Sequence, residues 1–283
     1  MKNKIKLSSV TTYKFGGFCN NYYEITEENI SQYREIFSGK DNFILGKGSN
    51  VAFSDKGYEG NVIRPNFNNI SYNENNSEIN VGSSVYLPDL ARFCKNNSLV
   101  NAEFLIGIPG SVGGAIKMNA GSYGWEFSDI FVSLVAYNFI KKEYETLDKQ
   151  EIKFGYRTSN NLEGKIIVSA KLLGIKGDPK LIKERLKEYR TYRKNTQPAG
   201  IYNAGSVFKN HKDYSAGELI DKAGLKGYEI DGVRVSSKHA NFFIASKGSK
   251  SSSLYNLVNH VKEVVDNKFG VLLEKEIIFV GNF

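Results

Sequence analysis

The sequence predicts an α+β protein, a glycine-rich strand region followed by a compact αβ module, and three observations predict it. Short apolar strand-like runs recur through the first part of the chain. One basic amphipathic segment follows them, and the last third carries its own helix-then-strand pattern.

Taken in order, Thr26 is positioned to cap a short helix through Phe37, with Glu27 and Glu28 in its first turn and Ile30, Tyr33 and Phe37 inward. An apolar strand at Phe43–Leu45 runs into the loop Gly46–Asn50, and further strands are expected at Asn61–Arg64 and Glu78–Val81. Pro88 suits the first turn of a helix that turns Leu90 and Cys94 inward. A long glycine-dense loop is expected over Gly107–Gly124. Phe131–Phe139 and Tyr144–Leu147 form a hairpin pattern, and Lys165–Leu173 reads as a buried strand. Ile182, Leu186 and Tyr189 mark one face of a basic helix that ends before Gln197–Pro198–Ala199–Gly200. Leu254, Leu257, Val258, Val261 and Val265 mark a second amphipathic helix, with Gly270 as its stop and a strand at Val271–Val280 after it.

Composition narrows the function classes. With 41% hydrophobic and 13% aromatic residues in 283, the chain can bury a core and form two or three modest domains. No run approaches the roughly 20 apolar residues that span a bilayer. The basic start MKNKIKLSSV lacks the apolar segment of a signal peptide. Cys19 and Cys94 form no CxxC pair, so neither a metal site nor a disulfide framework is expected. A soluble, reduced, cytoplasmic protein follows. The net charge of +8 suits nucleic acid, an anionic membrane or a phosphate-bearing small molecule. Its densest cluster is Lys180, Lys183, Arg185, Lys187, Arg190, Arg193 and Lys194. These residues are expected on the solvated face of the basic helix; no nucleic-acid recognition motif accompanies them.

Two glycine loops carry the chemistry. In LGKGSN, Gly46 and Gly48 let backbone N–H groups turn toward a phosphate, and Ser49 and Asn50 add side-chain donors. A plain strand-to-turn connection has the same composition. The second, GIPGSVGGAIKMNAGSYG, spends glycine at 107, 110, 113, 114, 121 and 124. That conformational cost favours close approach to a bulky ligand, and Ile108, Pro109, Val112 and Tyr123 favour order over a flexible linker.

LGKGSN, then GIPGSVGGA and NAGSYG, resembles the bipartite FAD-binding region of the UDP-N-acetylenolpyruvoylglucosamine reductases. The resemblance runs from TTYKFGG through FGYRTS, NAGSVFKN, AGELIDKAGLKGYEIDG, VSSKHANFF and LLEKEIIFVG, covering nearly the whole chain. The short spacing between YRTS and GSVFKN resembles the subgroup lacking a tyrosine-bearing insertion. The fold this implies is a two-part FAD-binding region of the PCMH/vanillyl-alcohol-oxidase type followed by a smaller αβ substrate-binding domain. Boundaries are expected at 1–57 and 58–178 for the two FAD subdomains, 179–200 for the connecting helix and linker, and 201–283 for the substrate domain.

The resemblance further implies noncovalent FAD between the first two domains, with NADPH as the co-substrate that reduces it and leaves before the UDP-sugar enters. Cofactor contacts are implied at Gly46, Gly48, Ser49 and Asn50. They are also implied at Ile108, Pro109, Gly110, Ser111, Gly113, Gly114 and Ala115, and at Asn119, Gly121, Tyr123 and Gly124. Hydride addition to an enolpyruvyl double bond drives negative charge toward its carboxylate, which calls for a fixed cation. Arg157, in YRTS, supplies a planar fork that stays charged. Ser206, in AGSVFKN, occupies the family's proton-donor position. Glu274 and Glu276 are two apart, and periodicity does not choose between them; the family's terminal pattern selects Glu276. Asn210 and His239 match substrate-contacting positions, and Lys209 and Lys238 are candidates for the diphosphate. His211 and Asp231 depart from the family's usual proline and glycine, which puts the loop beside the substrate in question. A monomer acting on small molecules is expected, without nucleic acid or membrane. The alternative is another FAD-dependent oxidoreductase of this fold acting on a sugar or lactone. Such enzymes often attach flavin through His or Cys, which neither glycine loop contains.

Overall fold

A computed structural model describes residues 2–37, 41–198, 200 and 202–283, so Ala199 of the expected linker lies outside the described residues. The chain forms two compact units, each assembled from separate stretches. One comprises Met1–Tyr22, Gly48–Asn61 and Lys194–Phe283; the other comprises Tyr23–Lys47 and Val62–Arg193. Among the described residues no helix is long and apolar enough to cross a membrane.

The second unit is organised by a five-stranded antiparallel sheet in the spatial order Glu143–Asp148, Phe131–Asn138, Lys165–Leu173, Glu78–Gly82, Ile70–Asn73. Alternation in Lys165–Leu173 sends Ile166, Val168, Ala170 and Leu172 inward. Successive inward residues serve two cores. Leu172 and Ala170 pack with Leu87, Leu90, Cys94, Val112 and Ile116, whereas Ile166 and Val168 pack with Tyr23, Ile25, Ile30 and Phe37. Burial pushes the Cys94 thiol up to about 12, so it behaves as a core residue.

Four expectations are corrected. The helix expected from Thr26 begins later, as the 3₁₀ turn Ile30–Tyr33 followed by Arg34–Phe37. Asn29 Oδ1 instead accepts from Thr26 N at 2.9 Å, holding the preceding turn. The long loop Gly107–Gly124 contains the helix Val112–Met118 and the start of a hairpin, Gly121–Ser122 with Trp125–Glu126. Gly113 and Gly114 disguise that helix by propensity, but burial of Val112, Ala115 and Ile116 forms it. Tyr123 (φ 58°) and Gly124 (φ 80°) occupy the hairpin tip with positive φ, which suits a primed turn. The strand expected over Val271–Val280 is only Ile278–Val280, paired in parallel with Val51–Phe53. Finally, Arg193 is not on the solvated face of the helix Pro179–Thr196. Its side chain is half-buried beside Gly107, where a Cβ would lie 3.2 Å from Arg193 Cδ.

In the first unit, the helix Ser251–Phe269 buries Leu254, Leu257, Val258, Val261 and Val265 and ends at Gly270 in the left-handed region (φ 65°). It packs with Val233, Val235, Phe243 and Ala245 of the three-stranded sheet Glu229–Ile230, Val233–Val235, Phe243–Ala245. Asp231 (φ 44°) and Gly232 (φ 80°) form the two-residue tip of its first hairpin. Aspartate is one of the few side chains that accept this conformation, so the departure from glycine preserves the turn.

Gly48 has φ 68°, and a Cβ there would collide with Val10 O and lie 2.9 Å from Thr11 Cα. Gly48→Ala is therefore expected to cost at least about 2 kcal/mol, from left-handed strain plus displacement of backbone. A urea-unfolding midpoint unchanged from the parent would contradict this.

Candidate active site

In the second unit the two glycine segments converge. Leu45 N donates to Ile63 O at 2.8 Å, which places Gly46–Lys47 beside the strand end that carries Arg64. A Cβ on Gly46 would lie 2.7 Å from Ser111 Oγ, so glycine is what lets the two loops meet. Ser111, 3% exposed, caps the helix Val112–Met118 by accepting from Gly114 N at 3.4 Å. Gly113 N donates to Ser83 O at 2.8 Å, and Leu87 N donates to Gly110 O at 2.9 Å. Ile108, Pro109 and Gly110 are half-buried, and Ala115 is core.

The electrostatics of this junction are unbalanced. Burial, then the nearby Arg64 guanidinium, push the Lys47 ammonium below its ordinary range, against a smaller opposing pull from Asp89. Arg64 Nη1 and Ser83 Oγ are buried without hydrogen-bond partners among the described residues. Unspent donors beside two like charges and a glycine-lined turn fit the pyrophosphate of the flavin nucleotide that the resemblance implies. Lys47, Arg64 and Ser83 were missed by sequence reasoning. Arg64 had one faint signal, a lone charge closing the apolar run Val62–Ile63 before Pro65.

Among the other implied cofactor positions, the Asn119 and Tyr123 side chains make hydrogen bonds within the protein. Asn119, 1% exposed, spends both amide protons and its carbonyl on Glu126, Gly155 and Ser128. Tyr123 stacks on Tyr189 with centroids 4.0 Å apart and donates its hydroxyl to Tyr189 O at 2.8 Å. Gly124 has open space around its absent Cβ, so positive φ alone requires glycine there. At Gly121 a Cβ would lie 2.6 Å from Trp125 O and 3.3 Å from Arg157 Nη1.

Arg157 (φ 54°) sits at the two-residue tip between Phe154–Gly155 and Thr158–Ser159. Its Nη2 donates to Gly121 O at 3.2 Å, and its guanidinium lies over the Tyr156 ring at 4.8 Å. The catalytic candidate is therefore joined directly to the second glycine segment. It is half-buried, where a cation is screened less than on the open surface.

In the first unit Ser206 and Glu276 lie on adjacent segments. Glu276 N at 2.8 Å and Ile277 N at 3.3 Å both donate to Val207 O. Two successive N–H groups on one carbonyl make a β-bulge, a device that re-aims a side chain out of strict alternation. Asn50 Nδ2 donates to Glu276 O at 3.0 Å and Asn50 O accepts from Ile278 N at 3.0 Å, so the first glycine loop secures this strand. On the other side, Asn241 clamps the segment: its Oδ1 accepts from Phe208 N at 2.9 Å and its Nδ2 donates to Phe208 O at 2.8 Å. Asn241, 3% exposed, was also missed; its signal is a lone amide among Ala240, Phe242 and Phe243.

Glu274 and Glu276 separate clearly. Glu274 is exposed and pairs with Lys209 Nζ at 2.6 Å, while Glu276 is half-buried at the bulge. Asn210 Oδ1 accepts from Ala216 N at 3.0 Å at the start of the helix Ala216–Lys222. His239 packs edge-on against Phe242, and burial pushes its imidazole below the ordinary range. Lys238 Nζ donates to Lys194 O, and Ser49 is half-buried. His211 N donates to Tyr214 O at 3.0 Å, a bond the family's usual proline could not make.

Comparisons with known proteins identify the family. Residues 38–143 match the family described as FAD binding domain, and residues 197–280 match UDP-N-acetylenolpyruvoylglucosamine reductase, C-terminal domain. The UDP-N-acetylenolpyruvoylglucosamine reductase of Rickettsia rickettsii (strain Sheila Smith) is 38% identical over 99% of this chain and 95% of that protein. The enzyme of that name from Desulforamulus reducens is 38% identical over 96% of this chain and 90% of its own. The crystal structure of UDP-N-acetylenolpyruvylglucosamine reductase from Thermus caldophilus superposes with a TM-score of 0.86 at 29% identity, covering 99% of this chain and 98% of that one. Full-length similarity at this level shows the family: the chain belongs to the UDP-N-acetylenolpyruvoylglucosamine reductase family of flavin-dependent oxidoreductases.

Proposed function

We propose that Arg157, Ser206 and Glu276 carry the reduction of UDP-N-acetylglucosamine enolpyruvate to UDP-N-acetylmuramate, a step of peptidoglycan precursor synthesis, and that NADPH is the source of the hydride. The observation that carries this reading is the bulged ribbon, which joins the Ser206–Val207 segment to Glu276 while leaving Glu274 in a surface ion pair.

FAD, when bound, supplies hydride transfer to the terminal carbon of the enolpyruvyl group. Gly46, Gly48, Ser49 and Asn50, with Ile108–Ala115 and the unspent donors of Arg64 and Ser83, would hold it noncovalently. Arg157 binds the substrate carboxylate and stabilises the negative charge that develops there. The Ser206 hydroxyl donates its proton to the adjacent carbon, completing addition of hydride and proton across the double bond. A serine hydroxyl is a weak acid, but a carbanionic acceptor is strongly basic, so placement decides its effectiveness. Glu276 would help organise the enolate. Asn210 and His239 would bind the sugar nucleotide, with Lys209 and Lys238 toward its diphosphate. The enzyme is read as a cytoplasmic monomer acting on small molecules.

Glu276→Gln is expected to lower turnover of the sugar nucleotide by about 10²-fold or more, as for loss of a positioned catalytic group. Glu274→Gln breaks an exposed ion pair worth roughly 0–1 kcal/mol and should stay within a few-fold of the parent. Steady-state rates of the two variants decide the assignment; equal losses would remove Glu276 from it.

A further inference from the structure

The tip that carries Arg157 is held by very little of its own structure. Its flanking strands are two residues each, paired as Phe154↔Ser159 and Gly155↔Thr158 with one further bond from Asn160 N to Lys153 O at 3.3 Å, and a ribbon that short does not fix its own orientation. Its orientation must come from ties to its surroundings. On one strand, Ser159, 1% exposed, donates its hydroxyl to Lys117 O at 3.0 Å, and Lys117 Nζ donates back to Ser159 O at 3.2 Å. On the strand leading into Arg157, Gly155 O accepts from Asn119 Nδ2 at 3.1 Å.

Asn119 also reaches the hairpin that contains Gly121. Its Nδ2 donates to Glu126 Oε2 at 2.7 Å and its Oδ1 accepts from Ser128 N at 3.0 Å. Glu126 lies in the hairpin strand paired with Gly121, and Gly121 O is the carbonyl that receives Arg157 Nη2 at 3.2 Å. A single buried amide therefore ties the strand that presents the guanidinium to the strand paired with its carbonyl partner, Gly121. Its backbone, at φ 39° and ψ 56°, is the left-handed cap of the helix Val112–Met118, a conformation asparagine tolerates well.

We propose that Asn119 is a positioning residue for Arg157: it locks the arginine hairpin to the second glycine segment, so that the guanidinium stands ready where the substrate carboxylate arrives. This rests on the catalytic assignment of Arg157. An asparagine whose role ended at the helix cap would need only its backbone conformation, and glycine supplies that conformation without strain. The side chain's three bonds are what glycine removes.

The test compares Asn119→Gly and Asn119→Asp with Arg157→Ala in the flavin-loaded protein, following two half-reactions separately by flavin absorbance under anaerobic conditions. Asn119→Gly keeps the left-handed cap and deletes the bridge. Asn119→Asp keeps size and shape but removes both donors and sets a carboxylate against Glu126. For both variants the expectation is flavin content and NADPH-driven reduction within about threefold of the parent, with reoxidation by the enolpyruvyl sugar nucleotide slowed on the order of 10²-fold, the effect of a small misplacement of a reacting group. Reoxidation at the parental rate in Asn119→Gly overturns the proposal. So does loss of flavin from both variants, because Asn119 would then hold the cofactor region rather than the arginine. If Arg157→Ala itself reoxidises normally, the catalytic reading of Arg157 falls; if Arg157→Ala is crippled and the Asn119 variants are not, only the positioning role falls.

Discussion

Ser206→Ala is expected to leave NADPH-driven flavin reduction nearly intact while reoxidation by the enolpyruvyl sugar nucleotide falls by about 10²- to 10⁴-fold, the range for loss of a positioned proton donor. Ser206 is half-buried and lies in an isolated bridge with Phe242, between the Asn241 clamp and the Glu276 bulge. The clamp engages Phe208 and the bulge engages Val207 through backbone, so removing one hydroxyl leaves the ribbon assembled. Ser206→Cys restores a donor with a larger, softer atom and should recover part of the rate. Stopped-flow absorbance of the flavin separates the two half-reactions. Equal impairment of both in Ser206→Ala would show that the residue holds structure or cofactor instead.

Arg157→Ala is expected to lower sugar-nucleotide turnover by at least about 10²- to 10³-fold, the cost of removing one preorganised stabiliser of developing charge. Arg157→Lys should recover only part of this, since a point charge replaces a planar fork that binds carboxylate through two parallel bonds. The backbone at φ 54° complicates alanine, which pays strain in the left-handed region. Arg157→Gly separates the effects, keeping the turn and removing the cation. If Arg157→Gly and Arg157→Ala lose turnover equally, the guanidinium accounts for the loss. If glycine restores turnover, the arginine is there for its turn.

Much of the fold was legible because its signals are local. Alternation in Lys165–Leu173, the heptad-like apolar spacing from Leu254 to Val265, and Pro88 in the first turn of Leu87–Asn96 each act through neighbours in sequence. The failures are tertiary. Val112–Met118 hides behind two glycines, and only packing against distant core residues such as Leu172 makes it a helix. The C-terminal strand was overextended toward Val271 because the bulge at Glu276, which interrupts the ladder before Ile278–Val280, is set by Val207, far away in the chain. Arg193 reads as solvated from its helix position, yet it is sheltered beside Gly107, and burial pushes its guanidinium below its ordinary range. Arg157, Ser206 and Glu276 are proposed from the motifs that carry the family resemblance, FGYRTS, NAGSVFKN and LLEKEIIFVG. The supports leave almost no trace in spacing: Asn241 acts on Phe208, 33 residues away, Asn119 reaches Gly155, 36 residues away, and Ser83 and Arg64 are set apart only by burial of their polar atoms.

The most direct measurement is anaerobic. The flavin-loaded protein is reduced with one equivalent of NADPH, and UDP-N-acetylglucosamine enolpyruvate is then added in the absence of any other oxidant. Stoichiometric return of the oxidised-flavin absorbance with formation of UDP-N-acetylmuramate is the predicted result. Flavin that stays reduced in the presence of that sugar nucleotide, while dioxygen or another acceptor reoxidises it, would contradict the account.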